Sequence, residues 1–194
     1  MYGSCVYMEI VLKNRTVVLR TFFIIIIVIL AAVDQFTKYL TVQYIKPQGS
    51  IPLIQAGETQ VLNLTYCENT GMSFSLLEGQ RAILIAVPVL LIGAVCFVVF
   101  TGRLNSGRTD VMIALAALAG GGLGNLIDRV FQGYVVDFID FRIINFAIFN
   151  FADICAVCGG IYFGITVAID EIKEEKAKKA AESANSESVT DEQP

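Results

Sequence analysis

Four apolar runs, each long enough to cross a bilayer, leave this chain few ways to fold. A helix needs about 20 apolar residues to span the hydrocarbon core. Lipid accepts only structures whose backbone polar groups are satisfied internally. The runs are residues 17–40, 82–100, 111–127 and 146–169. The first is most apolar at 22–33, and Arg20 can snorkel to its edge. The second and third carry no charge, and the third is rich in Ala and Gly. The fourth is apolar except for Asn150, Asp153 and Thr166. Charged residues make up only 16% of the chain, against about a quarter in a soluble domain. The expectation is an all-α integral membrane protein of four transmembrane helices, with a small β-rich extracytoplasmic segment between helices 1 and 2.

Basic residues orient such a chain, because they stay on the cytoplasmic side. Lys13, Arg15 and Arg20 precede or open the first run, Arg103 and Arg108 separate the second and third, and Lys173, Lys176, Lys178 and Lys179 follow the fourth. All three places fall on one side, so both termini read as cytoplasmic. The domain reading is therefore a 1–16 N-terminal extension, a 17–169 membrane domain with its outer segment at 41–81, and a charged 170–194 tail. The tail starts as a helical extension to about residue 184 and ends in a composition that favours disorder. Within the outer segment, 51–54, 60–66 and 72–77 have strand character, broken at Pro47, Pro52, Gly57 and Gly71. A cleaved signal peptide ending near Ala31-Ala32-Val33 is the rival reading of the first run. The specific polar set directly after it argues for a retained helix.

Several function classes drop out. The net charge of −4 resides in the tail: residues 170–194 hold eight acids and four bases, and the rest hold ten of each. It gives no support for nucleic-acid binding. Five cysteines, mostly in apolar runs, make no disulfide framework. The Cys155-x-x-Cys158 pair reads as helix packing, since nothing completes a four-ligand zinc set. With no histidine in the chain, Ser-His and Cys-His nucleophiles are excluded. The Gly120-Gly121-Gly122-Leu123-Gly124 stretch lacks the strand and Lys-Ser/Thr of a phosphate loop. It reads as close helix packing.

Carboxylates remain. Asp137 lies on the connection between the third and fourth runs, and Asp153 lies just inside the fourth. An ionisable group at the edge of a membrane segment is costly and points to function. Both fall on the outer face. A pair of neighbouring carboxylates resists double ionisation, so one can activate water while the other donates a proton. The bland reading has each aspartate capping a helix or pairing with Arg129 or Arg142. Asp128 is expected to pair with its neighbour Arg129, and Asp140 to be a surface residue.

Five motifs occur in order: Asp34-Gln35-Phe36-Thr37-Lys38, Asn69-Thr70-Gly71-Met72-Ser73-Phe74-Ser75, Gly124-Asn125-Leu126-Ile127-Asp128-Arg129, Val135-Val136-Asp137-Phe138 and Phe149-Asn150-Phe151-Ala152-Asp153. Together they resemble the bacterial lipoprotein signal peptidase (signal peptidase II) family over roughly residues 17–169. The resemblance implies an aspartic endopeptidase of the bacterial inner membrane, needing no metal or cofactor. It would cut prolipoproteins before a diacylglyceryl-modified cysteine. The catalytic pair falls on Asp137 and Asp153. Asn69, Gly71, Asn125, Arg129 and Asn150 would bind substrate or orient the pair, and Asp34, Lys38 and Asp128 would give structural support. The resemblance also implies membrane lipids as partners, inhibition by globomycin-type cyclic peptides, and a site complete within a monomer. Two other readings stand beside it. A small transporter would space Asp34, Asp128 and Asp153 along a path through the bilayer. A Ser/Lys peptidase would use Lys38 with Ser73 or Ser75.

Overall fold

The computed structural model describes residues 2–71, 79–102, 108–144 and 146–190, with side-chain detail from 16 to 180 within those limits. The strand expected at 72–77, Ser73, Ser75 and Arg103 lie outside the described residues. Four helices carry the fold: α1 (Tyr2–Leu40), α2 (Arg81–Phe100), α3 (Thr109–Phe131) and α4 (Phe151–Thr190). Each contains a stretch long and apolar enough to cross a membrane. Helix α1 runs without a break through residues 2–16, and a single π-helical turn (Thr41–Ile45) follows it.

Helix α3 is the hub. Of its most apolar window 44% is buried, against 17% in each of the other three. Small residues explain this, because they let neighbouring backbones approach. A Cβ on Gly121 would meet the Ala152 carbonyl oxygen and, at 2.8 Å, the Ala156 nitrogen of α4. One on Gly120 would meet Leu30 Cβ of α1 at 3.0 Å. The glycine run is thus the seam on which α1 and α4 close. The core joins Phe23 and Ile27 of α1, Val95 and Val99 of α2, and Val111, Met112, Leu115, Ala116 and Ala119 of α3. Phe22, Ile24, Ile25, Val28 and Ile29 of α1 are exposed. An apolar face of that extent suits a lipid solvent and would be a liability in water.

The sheet has three antiparallel strands in the order β1 (Ser50–Ala56), β2 (Thr59–Asn69) and β3 (Val135–Phe141). The expected β-rich segment between the first two helices is therefore only part of it, since the third strand comes from the connection after α3. Val135-Val136-Asp137-Phe138-Ile139-Asp140-Phe141 is rich in β-branched and aromatic residues, which favour strands. Its two aspartates obscure the pattern. The bulge between Leu64 and Cys67 sets Cys67 opposite Asp137. Strand β3 is in turn held by Phe149, whose carbonyl accepts from Phe138 N at 3.0 Å and Ile139 N at 2.8 Å. The sheet sits where α1 and α3 end and α2 and α4 begin.

Two helix boundaries differ from the sequence reading. The last helix starts at Phe151, not 146, because Asn150 supplies its cap. It also continues to Thr190, beyond the expected end near 184. That stretch contains no Gly or Pro and is rich in Ala, Glu and Lys, all good helix formers. A Glu175–Lys179 pair one turn apart joins it at 2.6 Å.

Candidate active site

The end of α4 nearest the sheet is built by a reciprocal cap. Asn150 Oδ1 accepts from Asp153 N at 3.0 Å, and Asp153 Oδ2 accepts from Asn150 N at 3.1 Å. This is a capping box, with the N-cap and third helical residue satisfying each other's amides. One Asp153 oxygen is thereby fixed. The other, Oδ1, accepts from Asn125 Nδ2 of α3 at 2.7 Å.

Asp137 is held from two sides. Its Oδ1 accepts from Asn150 Nδ2 at 2.6 Å, and its Oδ2 from Asn69 Nδ2 at 2.8 Å. Asn150 Nδ2 also donates to Asn125 Oδ1 at 3.0 Å. Two asparagines therefore link the carboxylates: Asn150 touches both, and Asn125 joins Asp153 to Asn150. Asp137 is 2% exposed and Asn150 is fully buried. Burial pushes the Asp137 carboxyl up to about 6; the Asn69 amide opposes the rise, the Asp153 charge adds to it, and the Asn150 amide opposes it again. Cys67, across the strand pair from Asp137, is an inert thiol: burial first, then the Asp137 charge, push it up.

The remaining motif residues gather around this centre. Arg129 donates from its Nη2 to Gly71 O at 2.9 Å, and Asn69 Oδ1 accepts from Gly71 N at 3.0 Å. The turn after β2 is thus tied to both α3 and Asp137. Arg129 Nε is buried without a hydrogen-bond partner. Asp34, Lys38 and Asp128 form a buried ion cluster, with Lys38 Nζ 2.8 Å from Asp34 Oδ2 and 2.9 Å from Asp128 Oδ2. Gly124 is required there, because a Cβ would lie 2.5 Å from Asp34 Oδ2.

Two expectations are corrected. Asp128 pairs with Lys38 and not with its neighbour Arg129, because successive helix residues point in different directions while Lys38 faces it across the α1–α3 seam. Asp140 is not a surface residue. It is 6% exposed, accepts from Thr65 Oγ1 at 2.7 Å, and pairs with Arg142 at 2.7 Å. Its partners lie within the sheet and its C-terminal edge, which separates it from the asparagine-linked pair. Arg81 escaped the sequence reading. It donates from Nε to Arg129 O at 2.9 Å and from Nη2 to Val130 O at 2.8 Å. It therefore caps the C-terminal carbonyls of α3, where a cation is favoured. Its place at the start of a charge-free run was the available signal.

A cleft of about 470 Å³ opens on this centre. Asn69, Asn125, Arg129, Asp137 and Asp153 form its polar wall, while Phe146, Ile148, Ile154 and Val157 contribute to an apolar one. That mix suits a ligand with a long apolar part and a few polar groups. Among the described residues, no group of three His, Cys, Asp or Glu side chains is placed to hold a metal. The carboxylates collect at one end of the bundle and do not line a path through it. Lys38 is fully engaged in the ion cluster.

The chain resembles known proteins over most of this frame. Residues 26–169 match the family model described as Signal peptidase (SPase) II. The lipoprotein signal peptidase of Brevibacillus brevis is 41% identical over 136 residues, covering 70% of this chain and 87% of that one. The one from Caldanaerobacter subterraneus is 40% identical, covering 73% and 92%. The Clostridioides difficile enzyme is 36% identical, covering 78% and 97%. A solved bacterial membrane enzyme, determined by the in meso method, superposes with a TM-score of 0.67 at 30% identity, covering 78% of this chain and 90% of that one. Fold and relatives together define a multi-pass membrane protease. More specifically, the chain belongs to the signal peptidase II family, aspartic peptidase family A8.

Proposed function

We propose that this protein removes signal peptides from diacylglyceryl-modified prolipoproteins, cutting before the lipidated cysteine, with Asp137 and Asp153 as the catalytic pair. The observation that carries the reading is the asparagine link: Asn150 binds Asp137 and caps Asp153, and both aspartates line a cleft that is mainly apolar with one polar wall. The family supports the substrate class, since its relatives are lipoprotein signal peptidases.

In the proposed reaction the pair shares one proton. The ionised carboxylate takes a proton from water, and the resulting hydroxide attacks the scissile carbonyl carbon. The protonated carboxyl gives its proton to the carbonyl oxygen, forming a tetrahedral diol. As the C–N bond breaks, the carboxyl that took the water proton passes it to the leaving amine, and the diol returns the other. The Asn125 and Asn69 amides keep the two carboxyls oriented throughout. Arg129, which lines the cleft, is placed to meet a substrate carbonyl. The apolar wall would take the acyl chains, so lipid and substrate reach the cleft from the bilayer. Globomycin-type cyclic peptides would occupy the same space.

The basic residues at the opposite end of the bundle support cytoplasmic termini and a site at the outer membrane face, to which Asn69 and Gly71 of the outer segment are tied. The boundaries 1–16, 17–169 and 170–194 belong to this reading. One folded chain contains every residue invoked, which suits a monomer. The test is cleavage of a diacylglyceryl-modified prolipoprotein by purified protein in lipid, with Asp137→Asn and Asp153→Asn alongside. Wild type should cleave and both variants should fall by at least ~10³-fold, the scale of losing an acid–base group. Cleavage by both variants at the wild-type rate would remove the dyad from the mechanism.

A further inference from the structure

Lys38 is 3% exposed and lies at the centre of the buried network. Its ammonium has three acceptors: Asp34 Oδ2, Asp128 Oδ2 and, at 2.8 Å, Asn125 Oδ1. Each continues towards the proposed dyad by its own route. Asp34 Oδ1 accepts from Ala152 N at 3.0 Å, one residue before Asp153. Asp128 Oδ2 accepts from Val136 N at 3.3 Å, one residue before Asp137. Asn125 Nδ2 donates to Asp153 Oδ1 itself.

The Asn125 branch has a direction. A carboxamide accepts at one end and donates at the other, whereas an ammonium can only donate. Lys38 therefore faces the Asn125 oxygen and leaves the NH₂ for Asp153. The reversed amide would set NH₂ against the ammonium and oxygen against the Asp153 carboxylate, which is repulsive at both ends.

We infer that Lys38 is a positioning residue for the dyad: its ammonium, together with the Asn150 amide that donates to the same oxygen, fixes which end of the Asn125 amide meets Asp153, and its two carboxylate partners hold the backbone beside each catalytic aspartate. The inference rests on the dyad reading above. Stability alone does not account for the cluster, since buried ion pairs often contribute no more than apolar residues of similar volume.

The test is a double-mutant cycle of Lys38→Met and Asn125→Ala, measured on lipid-reconstituted enzyme with a diacylglyceryl-modified prolipoprotein. Lys38→Met should lower kcat by about 10- to 100-fold, the usual size for removing a group that orients a functional side chain, and leave KM nearly unchanged. In the Asn125→Ala background the same change should cost clearly less than it does alone, because the Asn125 branch is already lost and only the Asp34 and Asp128 branches remain. Full additivity, or a Lys38→Met enzyme with normal kcat and only a lower Tm, would overturn the inference. Lys38→Met/Asp34→Asn keeps the net charge of the cluster and retains the acceptor for Ala152. It should show the same kcat loss, and recovery of wild-type turnover in it would also overturn the inference. Asp153→Asn separates the two claims: its loss with normal Lys38→Met turnover sinks only the role of Lys38, whereas its retained activity sinks the dyad.

Discussion

Asn150 and Asp153 cap each other, with Asn150 Oδ1 accepting the Asp153 amide at 3.0 Å and Asp153 Oδ2 accepting the Asn150 amide at 3.1 Å. The device that starts α4 therefore also orients a proposed catalytic carboxylate. Structural and functional readings of Asp153 are not alternatives here. Asn150 adds a second task, donating to Asp137 Oδ1 at 2.6 Å.

Asn150→Ser should separate these tasks. Serine is a good N-cap but is too short to replace the bond to Asp137. Helix stability should change by less than about 1 kcal/mol, while kcat falls on the order of 100-fold or more. Thermal unfolding and single-turnover cleavage measure the two separately. A parallel loss of both would tie activity to the cap alone.

Activity should depend on pH through Asp137. Its carboxyl is raised to about 6, so the shared proton is lost as pH rises through that value, and turnover should decline on the alkaline side. Asn69 holds the carboxyl down, so Asn69→Ala should move this limb to higher pH. A pH–rate profile of both enzymes checks it, and an unmoved limb would detach Asn69 from the titrating group.

The same shift has a stability sign. A folded-state value above the ordinary 3.8 means that the folded protein binds more protons than the unfolded chain between about pH 4 and 6. The Asp137 contribution is therefore fully present below about pH 4 and lost as pH rises through about 6. It amounts to roughly 2–3 kcal/mol. Between pH 4 and 7, Tm should fall more steeply for wild type than for Asp137→Asn. Equal slopes would show that Asp137 is not the group responsible.

Gly121→Ala should loosen the bundle. The new methyl would run into backbone of α4 at Ala152 and Ala156, which cannot yield as a flexible side chain could. A loss of about 1–3 kcal/mol is expected for overpacking at such a seam, and activity should fall because Asp153 rides on the displaced helix. A methyl on Gly160 would instead lie 3.8 Å from Leu118 Cδ1. Gly160→Ala is the matched control, and its Tm should stay near wild type.

Asp140→Asn should retain turnover within a few-fold, although Asp140 is also buried and lies three residues along β3 from Asp137. Its contacts are Thr65 and Arg142, and the cleft lining does not include it. A complete loss of cleavage at unchanged Tm would bring Asp140 into the site.

The four apolar runs determined the membrane class by length and hydropathy alone, because lipid leaves an apolar run of about 20 residues little choice but helix. Motif order likewise separated Asp137 from its neighbours Asp128 and Asp140. Phe149-Asn150-Phe151-Ala152-Asp153 even carries a local signal, since Asn followed by Asp three residues later resembles a capping box. Local sequence could not supply the partners that the chain meets across long separations. Asp128 looks paired with Arg129 on paper, yet Lys38 reaches it from 90 positions earlier in the sequence, across a seam that exists only because Gly120, Gly121 and Gly124 let helices touch. Val135–Phe141 reads only as part of the connection between the third and fourth runs until β2 lies beside it and supplies its hydrogen bonds. Strand pairing and buried ion partners depend on which surfaces tertiary packing brings together, so only the folded structure decided them.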